Sequence, residues 1–416
     1  MTSKNKKPDE AYVWIWLPDE TDPVVAGRLY AEGDTLRFNY GRSYLDRPNA
    51  ISIYPPELPL QSGELALLPG LSMPGCIRDG SPDAWGRRVI INHVSGSKER
   101  QADVTLLDEL TYLLESGSDR TGALDFQLSP AEYVPRNPAN TTLEELLEAV
   151  ERIEKGLPLS PELDLAFRHG SSIGGARPKA LIETEDKKYI AKFSSSSDLY
   201  NIMKAEFIAM RLGRLAGLDV ASVELETAAG KDVLLVERFD REKKPGGWTR
   251  RAMVSALTLF KLDELMARYA SYEDFAEIIR LEFEKPNETL GELFGRLVFN
   301  ILCGNTDDHA RNHAAFWDGN NFSLTPAYDI CPQSRTGNEA TQAMDIINGN
   351  RMSQISACLE AAHLFQLPEG KAAGIIENMK NTIHKHWDDI CDAARLSGVD
   401  KALLRERQFL NPFAFE

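Results

Sequence analysis

Residues 289–330 read TLGELFGRLVFNILCGNTDDHARNHAAFWDGNNFSLTPAYDI, and this stretch decides the fold. Its first part predicts a strongly apolar helix that ends near Gly304. A polar loop with the sequence NTDDH follows, and the next residues predict a strand, a turn at 318–321 and a second strand. The stretch therefore predicts a buried helix that leads into a polar loop and then a hairpin, and the polar side chains of the loop are candidates for a functional site.

Two histidines in this loop raise the question of a zinc site. His309 and His313 have the i, i+4 spacing of zinc ligands on a helix, and Asp307 and Asp308 stand nearby. The motif HExxH is absent, however, and the residues after His313 predict a strand rather than a helix. A zinc site is therefore the disfavoured interpretation, and we expect His309 to orient the loop through a hydrogen bond.

The composition is that of an ordinary globular protein with an acidic surface. The chain of 416 residues carries 63 acidic and 47 basic side chains, for a net charge of −16. Such a field repels phosphate backbones, so nucleic-acid binding would need a local basic face or a basic partner. The five cysteines form no CxxC pair, and no apolar run resembles a signal peptide or a membrane span. We expect a cytoplasmic protein in a reducing compartment, without a membrane partner.

The first part of the chain predicts a small antiparallel β unit. Four short apolar runs separated by turn residues fit this pattern. They are YVWIWL (12–17), VVAGRLY (24–30), TLRFNYG (35–41) and AISIY (50–54). A mostly helical stretch from about 83 to 114 follows, and then a linker at 135–142 that closes with a helix start at Thr141 or Thr142.

From about residue 165 the pattern changes to that of a second β unit. GSSIGGARPKA (170–180) is a Gly/Ser loop, and KALIET and KYIAKF predict a hairpin around residues 185–187. A helix is predicted over 198–216, followed by strands near 220–227 and 232–238. The segment after Trp248 and the tail from about 355 to 410 predict helices.

The spacing of polar residues after the apolar helix matches that of a kinase catalytic loop. Asp307 and Asn312 are five positions apart, as in the pattern D-x-x-x-x-N. In that arrangement the Asp accepts the proton of the attacking hydroxyl, and the Asn oxygen holds a metal ion. Asp329, which follows the predicted hairpin, can reach the same metal from the far strand. Hard oxygen ligands of this kind suit Mg2+.

A lysine and a glutamate in the second β unit are predicted to form an ion pair. Lys192 lies inside the apolar strand YIAKF, where an unpaired ammonium would be costly. Glu206 falls on the buried stripe of the following helix. Two opposite charges on inward positions of adjacent elements are expected to pair, as the Lys–Glu ion pair does in kinases.

Two further segments could hold a nucleotide. The Gly/Ser loop would let backbone N–H groups approach phosphates, although it lacks the Walker A pattern and most such loops are only turns. The strand LLVERFD (234–240) breaks into polar residues, and its backbone from Glu237 through Arg238 to Phe239 would bind adenine as an inter-lobe hinge. An edge strand and its loop explain the second segment equally well.

In this order, the segments resemble the HipA-type serine/threonine kinases, the toxins of type II toxin–antitoxin pairs. The resemblance implies an α+β, two-lobed protein-kinase-like fold of the phosphatidylinositol-kinase-like group, with an N-terminal β subdomain and a mostly helical C-terminal lobe. The implied parts are 1–140 (N-terminal subdomain), 141–245 (kinase N-lobe) and 246–416 (kinase C-lobe). The resemblance rests on GSSIGGARPKA, YIAKF, KAEFIAMRLGRLAGLDV, LLVERFDR, GNTDDHARNHAAF, PAYDI, RDGSPDAWGRRVI (78–90) and DRTGALDF (119–126).

The resemblance also implies roles for individual residues. Asp307 would be the catalytic base, Lys192 the phosphate-binding lysine, and Asn312 and Asp329 the Mg2+ ligands. Ser172 matches a serine that family members autophosphorylate, and about −1.5 to −2 added charges should expel the loop and switch the enzyme off. The residues implied to bind ATP are Ser172, Ile173, Gly174, Gly175, Lys192, Glu206, Glu237, Arg238, Phe239, Asn312 and Asp329.

The implied partners are a protein substrate, an antitoxin and operator DNA. Family members phosphorylate aminoacyl-tRNA synthetases, and a small HipB-like helix-turn-helix antitoxin that also binds operator DNA neutralises them. One departure is Asp308, where many members carry a basic residue, and it bears on the expected substrate contacts. Two other interpretations stay open: a weakly catalytic, antitoxin-binding corepressor scaffold, and a small-molecule kinase with the same catalytic residues.

Overall fold

The N-terminal part of the chain folds around a four-stranded antiparallel sheet. The structure is a computed structural model that describes residues 8–96, 107–136, 141–195, 198, 200–335 and 337–416. The strands are β1 (Glu10–Ile15), β2 (Val24–Glu32), β3 (Thr35–Tyr40) and β4 (Leu124–Gln127), in the order β3-β2-β1-β4. The prediction of a β unit from the first three apolar runs is confirmed. β4, which comes from far along the chain, pairs with β1 and closes the sheet.

The predicted strand at AISIY is wrong. Residues 50–54 belong to no strand, and Tyr54 makes only an isolated bridge to Leu58. Pro55 and Pro56 follow directly and have no backbone N–H, so a sheet ladder cannot continue through them. The apolar side chains of this segment are buried all the same, since Ile53 and Tyr54 are 4% and 1% exposed.

Short helices pack on the N-terminal sheet and connect it to the rest of the chain. The predicted helical stretch over 83–114 contains two helices, and its residues 97–106 lie outside the described ranges. Asp83 directly precedes the longer of them and accepts a hydrogen bond from the Arg87 backbone through its carbonyl. The helices are α1 (Arg42–Leu45), α2 (Gly75–Arg78), α3 (Ala84–Gly96) and α4 (Glu109–Glu115).

The second lobe is a four-stranded antiparallel sheet flanked by helices. The predicted hairpin and helix are present, and Lys179 pairs with Lys192 across the hairpin. Thr142 begins the first helix with a capping box to Glu145, as the predicted helix start requires. The sheet order is β5-β6-β8-β7. The elements are α5 (Leu143–Glu154), α6 (Pro161–Gly170), β5 (Lys179–Glu183), β6 (Lys188–Phe193), α7 (Ile202–Leu215), β7 (Val223–Ala228) and β8 (Lys231–Glu237).

The third part is mostly helical and contains residues 289–330, with the apolar helix and the polar loop. Its apolar helix ends at Gly304, whose φ of 74° lies in the left-handed region. A Cβ at Gly304 would lie 2.7 Å from the Gln408 carbonyl oxygen, so glycine also permits close packing of the C-terminal segment. The predicted strand–turn–strand follows, and it joins a third strand in the order β11-β12-β13. The elements are β9 (Arg241–Lys244), β10 (Gly247–Arg250), β11 (Ala252–Ser255), α8 (Ala256–Leu259), α9 (Tyr272–Glu282), α10 (Pro286–Cys303), β12 (Ala314–Trp317), β13 (Phe322–Leu324), α11 (Ile355–Ala361), α12 (Glu369–Ala393) and α13 (Gly398–Leu404).

The cysteines are reduced, and the helices of the described residues are those of a folded domain. All five cysteines are free and buried. Within the described ranges, no helix combines the length and the apolar character needed to cross a membrane.

Candidate active site

A cavity of about 770 Å3 lies where the three parts of the chain meet. The Gly/Ser loop, β6, the end of β8 and the segments around Asp307 and Asp329 form its kinase-lobe walls. The N-terminal subdomain adds a further wall that includes Ile15 and Leu124. Every residue that the sequence predicts for the site lines this cavity, except Ser172.

Lys192 joins the two lobes at the cavity. Its ammonium nitrogen lies 2.5 Å from Glu206 Oε1 on α7 and 2.5 Å from Asp329 Oδ1 beyond β13. Burial alone would lower the pKa of Lys192, but the carboxylates of Asp329 and Glu206 outweigh it and raise the pKa above its usual value. Lys192 therefore stays charged, and the ion pair predicted with Glu206 is present.

The two carboxylates around Lys192 differ in their surroundings. Glu206 is 0% exposed, and burial raises its pKa although Lys192 is close. Burial would also raise the pKa of Asp329, but Lys192 and Lys179 lower it to about 2. The Asp329 side chain is 42% exposed, so Asp329 is the ionised carboxylate that the cavity presents to a ligand.

The loop that carries Asp307 and Asn312 is held by its own backbone. The His309 N–H donates to the Asp307 carbonyl at 2.9 Å, and the Asn312 N–H donates to the His309 carbonyl at 2.8 Å. Asp307 itself is exposed, and partial burial of its carboxyl, together with the nearby Asp329, raises its pKa. A carboxylate with a raised pKa accepts a proton more readily.

The side chains of Asn312 and Asp329 offer hard oxygen atoms of the kind that Mg2+ binds. The Asn312 side-chain nitrogen donates to the Asp307 carbonyl at 3.1 Å, so its amide oxygen remains available as a ligand. Mg2+ prefers such hard oxygens and takes the rest of its shell from water and phosphate. Among the described residues, no three His, Cys, Asp or Glu side chains come together in a way that could hold a metal ion.

The histidines and Asp308 have structural positions. His309 Nδ1 is buried without a hydrogen-bond partner in the described ranges, and the His309 backbone makes hydrogen bonds to Asp307 and Asn312. His313 Nε2 lies 3.0 Å from Asp308 Oδ1, and Tyr272 donates its hydroxyl to the same carboxylate. Asp308 is 3% exposed. Asp308 therefore holds the loop from its buried side, and its side chain cannot contact a substrate directly.

The Gly/Ser loop is clasped from two sides. The Gly175 N–H donates to Asp83 Oδ2 at 2.5 Å, and the Lys179 ammonium donates to the Gly174 carbonyl. Burial, with Lys192 nearby, lowers the pKa of Lys179 to about 8. Ser172 is 1% exposed, and its hydroxyl donates to the His169 carbonyl at 3.5 Å. In this position of the loop, Ser172 is inaccessible.

In the segment predicted as the hinge (237–239), two backbone N–H groups already form hydrogen bonds within the protein. The Glu237 N–H donates to the Ser222 carbonyl, and the Arg238 N–H donates to the Lys188 carbonyl. The Phe239 ring packs against Tyr328, with 5.7 Å between centroids. Phe239 therefore combines an aromatic surface with a backbone position that lines the cavity.

The Arg238 side chain points into a buried ion network. Its guanidinium donates to Asp119 Oδ1 at 3.0 Å and to Asp240 Oδ2 at 2.8 Å. Asp119 also pairs with Arg241 and Lys188. Since Asp119 belongs to the N-terminal part, this network ties that part to the hinge.

These features define the class: a two-lobed kinase-like protein whose cleft is completed by an N-terminal β subdomain. The chain belongs to the HipA family. The model described as the HipA-like C-terminal domain matches residues 171–387, which is more than half of the chain. The model of the HipA N-terminal domain matches residues 15–127.

Similar proteins agree with this assignment. The putative kinase Y4mE of Sinorhizobium fredii is 27% identical over 321 residues, which span 71% of each chain. The serine/threonine-protein kinase toxin HipA of Shewanella oneidensis is 26% identical over 274 residues, 55% of this chain and 61% of the relative. The solved Shewanella oneidensis HipA, in complex with HipB and its operator DNA, superposes with a TM-score of 0.68 at 19% identity, covering 96% of this chain and 95% of that one. The predicted fold class is confirmed.

Among the lining residues that sequence reasoning missed are Asp83 and Arg311. Asp83 and Arg311 are joined by an ion pair of 2.5 Å. The only sequence signal for Asp83 was its place at a predicted helix start, in the sequence SPD (81–83). Asp is common at helix starts for structural reasons alone, so this signal did not indicate a role in the site. Only the fold shows that this helix start lies against the Gly/Ser loop.

Proposed function

We propose that this protein is an ATP- and Mg2+-dependent protein serine/threonine kinase of the HipA type. The observation that carries the proposal is the convergence of Lys192, Glu206 and Asp329 with Asp307 and Asn312 in one cavity. This is the set of charges that phosphoryl transfer requires. The descriptions of the relatives as kinases support it.

Each residue of the set has a role in the transfer. Asp307 accepts the proton of a serine or threonine hydroxyl as that hydroxyl attacks the γ-phosphoryl group. Lys192, held by Glu206, binds the nucleotide phosphates. Asn312 and Asp329 hold the Mg2+, which when bound neutralises charge on the phosphate oxygens.

We also propose that adenine binds at the hinge beside Phe239. Because Glu237 and Arg238 already use their N–H groups internally, the Phe239 N–H is the hinge donor for the base. The Phe239 and Tyr328 rings offer apolar surface to it. His309 stays a loop residue without a proton-transfer role.

Autophosphorylation at Ser172 would act as an off switch. Ser172 is buried, so the loop must first leave the position described above. A phosphate carrying about −1.5 to −2 charges could not return to this buried position without a cationic partner. The phosphorylated loop would therefore stay outside, and the phosphate-binding backbone would be lost.

The proposed partners follow from the family. The target is a protein of the translation machinery, an aminoacyl-tRNA synthetase in the first instance. The regulator is a HipB-like helix-turn-helix antitoxin, and operator DNA is reached through it. The solved relative binds HipB and its operator DNA, and this supports the same arrangement here.

The test is a radiolabelled ATP assay on the wild type and on Asp307→Asn, Asp329→Asn and Ser172→Ala. We expect label on the wild type and on a protein in a bacterial lysate, and none with the two Asp variants. Ser172→Ala should lose self-labelling and still label the target. Equal labelling by Asp307→Asn would refute the mechanism. Transfer to a sugar or aminoglycoside with none to protein would favour the small-molecule kinase.

A further inference from the structure

Asp83 makes its two closest contacts with groups that are suited to bind phosphate. Its Oδ2 accepts from the Gly175 N–H at 2.5 Å, and its Oδ1 lies 2.5 Å from Arg311 Nη2. One contact belongs to the Gly/Ser loop, and the other to the loop that carries Asp307. The carboxylate therefore bridges the two walls of the cleft.

Both partners have the chemistry of an anion site. Gly175 has a φ of 109°, which other residues rarely adopt, and its N–H already donates to an anionic oxygen, that of Asp83. A guanidinium forms two parallel hydrogen bonds with a carboxylate or a phosphate alike. An Asp side chain that satisfies both groups presents the same oxygens that a phosphate would present.

We infer that the Gly175 N–H and the Arg311 guanidinium form a phosphate subsite, and that the Asp83 carboxylate fills this subsite in the nucleotide-free protein. The inference rests on the proposed kinase function, since the phosphate in question is that of ATP. It assigns a binding role to Arg311 and gives a residue of the N-terminal subdomain control over nucleotide affinity.

Charge repulsion determines whether removal of the Asp83 carboxylate strengthens or weakens ATP binding. Asp83 and an ATP phosphate are both negative, and at a separation of about 4 Å two such charges repel by several kcal/mol in a partly buried site. ATP must therefore displace Asp83 from Gly175 and Arg311. Removal of the Asp83 charge should tighten ATP binding, whereas removal of a mere structural brace would weaken it.

The chain offers a matched control in Glu264. Glu264 Oε1 lies 2.7 Å from Arg311 Nη1, so it is the second carboxylate on the same guanidinium. Its side chain is 53% exposed. Within the described part of the chain, it makes no contact with Gly175. Glu264→Gln therefore perturbs the ion pairing of Arg311 and leaves the bridge to the Gly/Ser loop intact.

The experiment measures binding of ATP with Mg2+, and of adenosine, by isothermal titration calorimetry. Asp83→Asn is suitable because Asn and Asp are similarly favoured at a helix start. We expect Asp83→Asn to bind ATP about tenfold more tightly than the wild type. Adenosine, which has no phosphate, should bind both proteins alike.

Two further variants complete the test. Arg311→Gln should weaken ATP binding about tenfold and leave adenosine binding unchanged. Glu264→Gln should change ATP binding less than about twofold, as expected for an exposed pair. Thermal unfolding by circular dichroism confirms that each variant is folded.

The outcomes separate this inference from the proposed function. If the wild type binds ATP and Asp83→Asn binds it no better, Asp83 is a structural brace and the inference is wrong. An unchanged ATP affinity in Arg311→Gln would also overturn it. If neither the wild type nor Asp83→Asn binds ATP or adenosine, the kinase proposal and the inference fail together.

Discussion

Lys192 and Glu206 form an ion pair of 2.5 Å in which both side chains are largely buried. Glu206 is 0% exposed, and the Lys192 side chain is 11% exposed. Glu206 Oε2 has no hydrogen-bond partner in the described ranges, so Lys192 is the main compensation for its charge. The pair connects β6 to α7 and fixes the position of the ammonium in the cleft.

The first prediction concerns the stability of this pair. Lys192→Met should lower the free energy of unfolding by roughly 3–5 kcal/mol, because it leaves Glu206 buried without a partner. Urea denaturation followed by circular dichroism measures this loss. The double variant Lys192→Met/Glu206→Gln should recover part of it, while both variants remain inactive. Equal instability of the single and double variants would contradict the pairing.

A second prediction concerns acid stability. His169 is 3% exposed, and burial lowers its pKa from 6.5 to about 4. Between these values the unfolded chain binds a proton that the folded protein rejects, so stability is present above pH 6.5 and is lost as the pH falls toward 4. The loss should reach about 2–3 kcal/mol. Urea titrations from pH 7 to 4 should show this fall in the wild type, and a smaller fall in His169→Leu.

A third prediction concerns the packing of α3 against the Gly/Ser loop. A Cβ at Gly86 would overlap the Ser171 carbonyl oxygen, so Gly86→Ala should cost about 1–3 kcal/mol and reduce ATP affinity. Gly374 on α12 is the control, since a Cβ there meets nothing within 4 Å. Gly374→Ala should stabilise the protein by about 0.5–1 kcal/mol. The same sign for both variants in thermal unfolding would contradict this account.

A fourth prediction concerns the ion network at the hinge. Arg238→Ala should destabilise the protein by roughly 3–5 kcal/mol, because it strips the buried Asp119 and Asp240 of a partner. It should also raise the KM for ATP, because the hinge loses its fixed position. Lys187→Ala removes the exposed pair with Glu237 and should cost less than about 1 kcal/mol. Similar losses for the two variants in urea denaturation would exclude the network as the cause.

The sequence predicts those parts of the fold that local patterns encode. The ion pair between Lys192 and Glu206 could be predicted because each residue lies among regularly spaced apolar positions. An unpaired charge at such a position is costly. The hairpin after Gly304 was equally clear, because a turn separates two apolar runs. The strand prediction for AISIY (50–54) was wrong, because two prolines follow this apolar run. Its side chains are buried, but its backbone forms no sheet ladder.

Contacts between distant segments could not be predicted in this way. Asp83 and Gly175 are separated by 92 positions, and no local pattern indicates that they meet. β4 was missed for a similar reason: LDFQ is short, and its partner is the first strand of the chain. The inward orientation of Arg238 likewise depends on Asp119, which the fold brings across from another part of the chain.

The wall that the N-terminal subdomain adds to the cavity bears on inhibitor design. Ile15, Ile53 and Leu124 are apolar and face the same space as Phe239. A compound seated beside Phe239 and extended toward them would gain about 25 cal/mol for each Å2 of apolar surface that it covers. A kinase-like protein built from two lobes alone has no such wall, so the extension would give a compound selectivity for this three-part architecture.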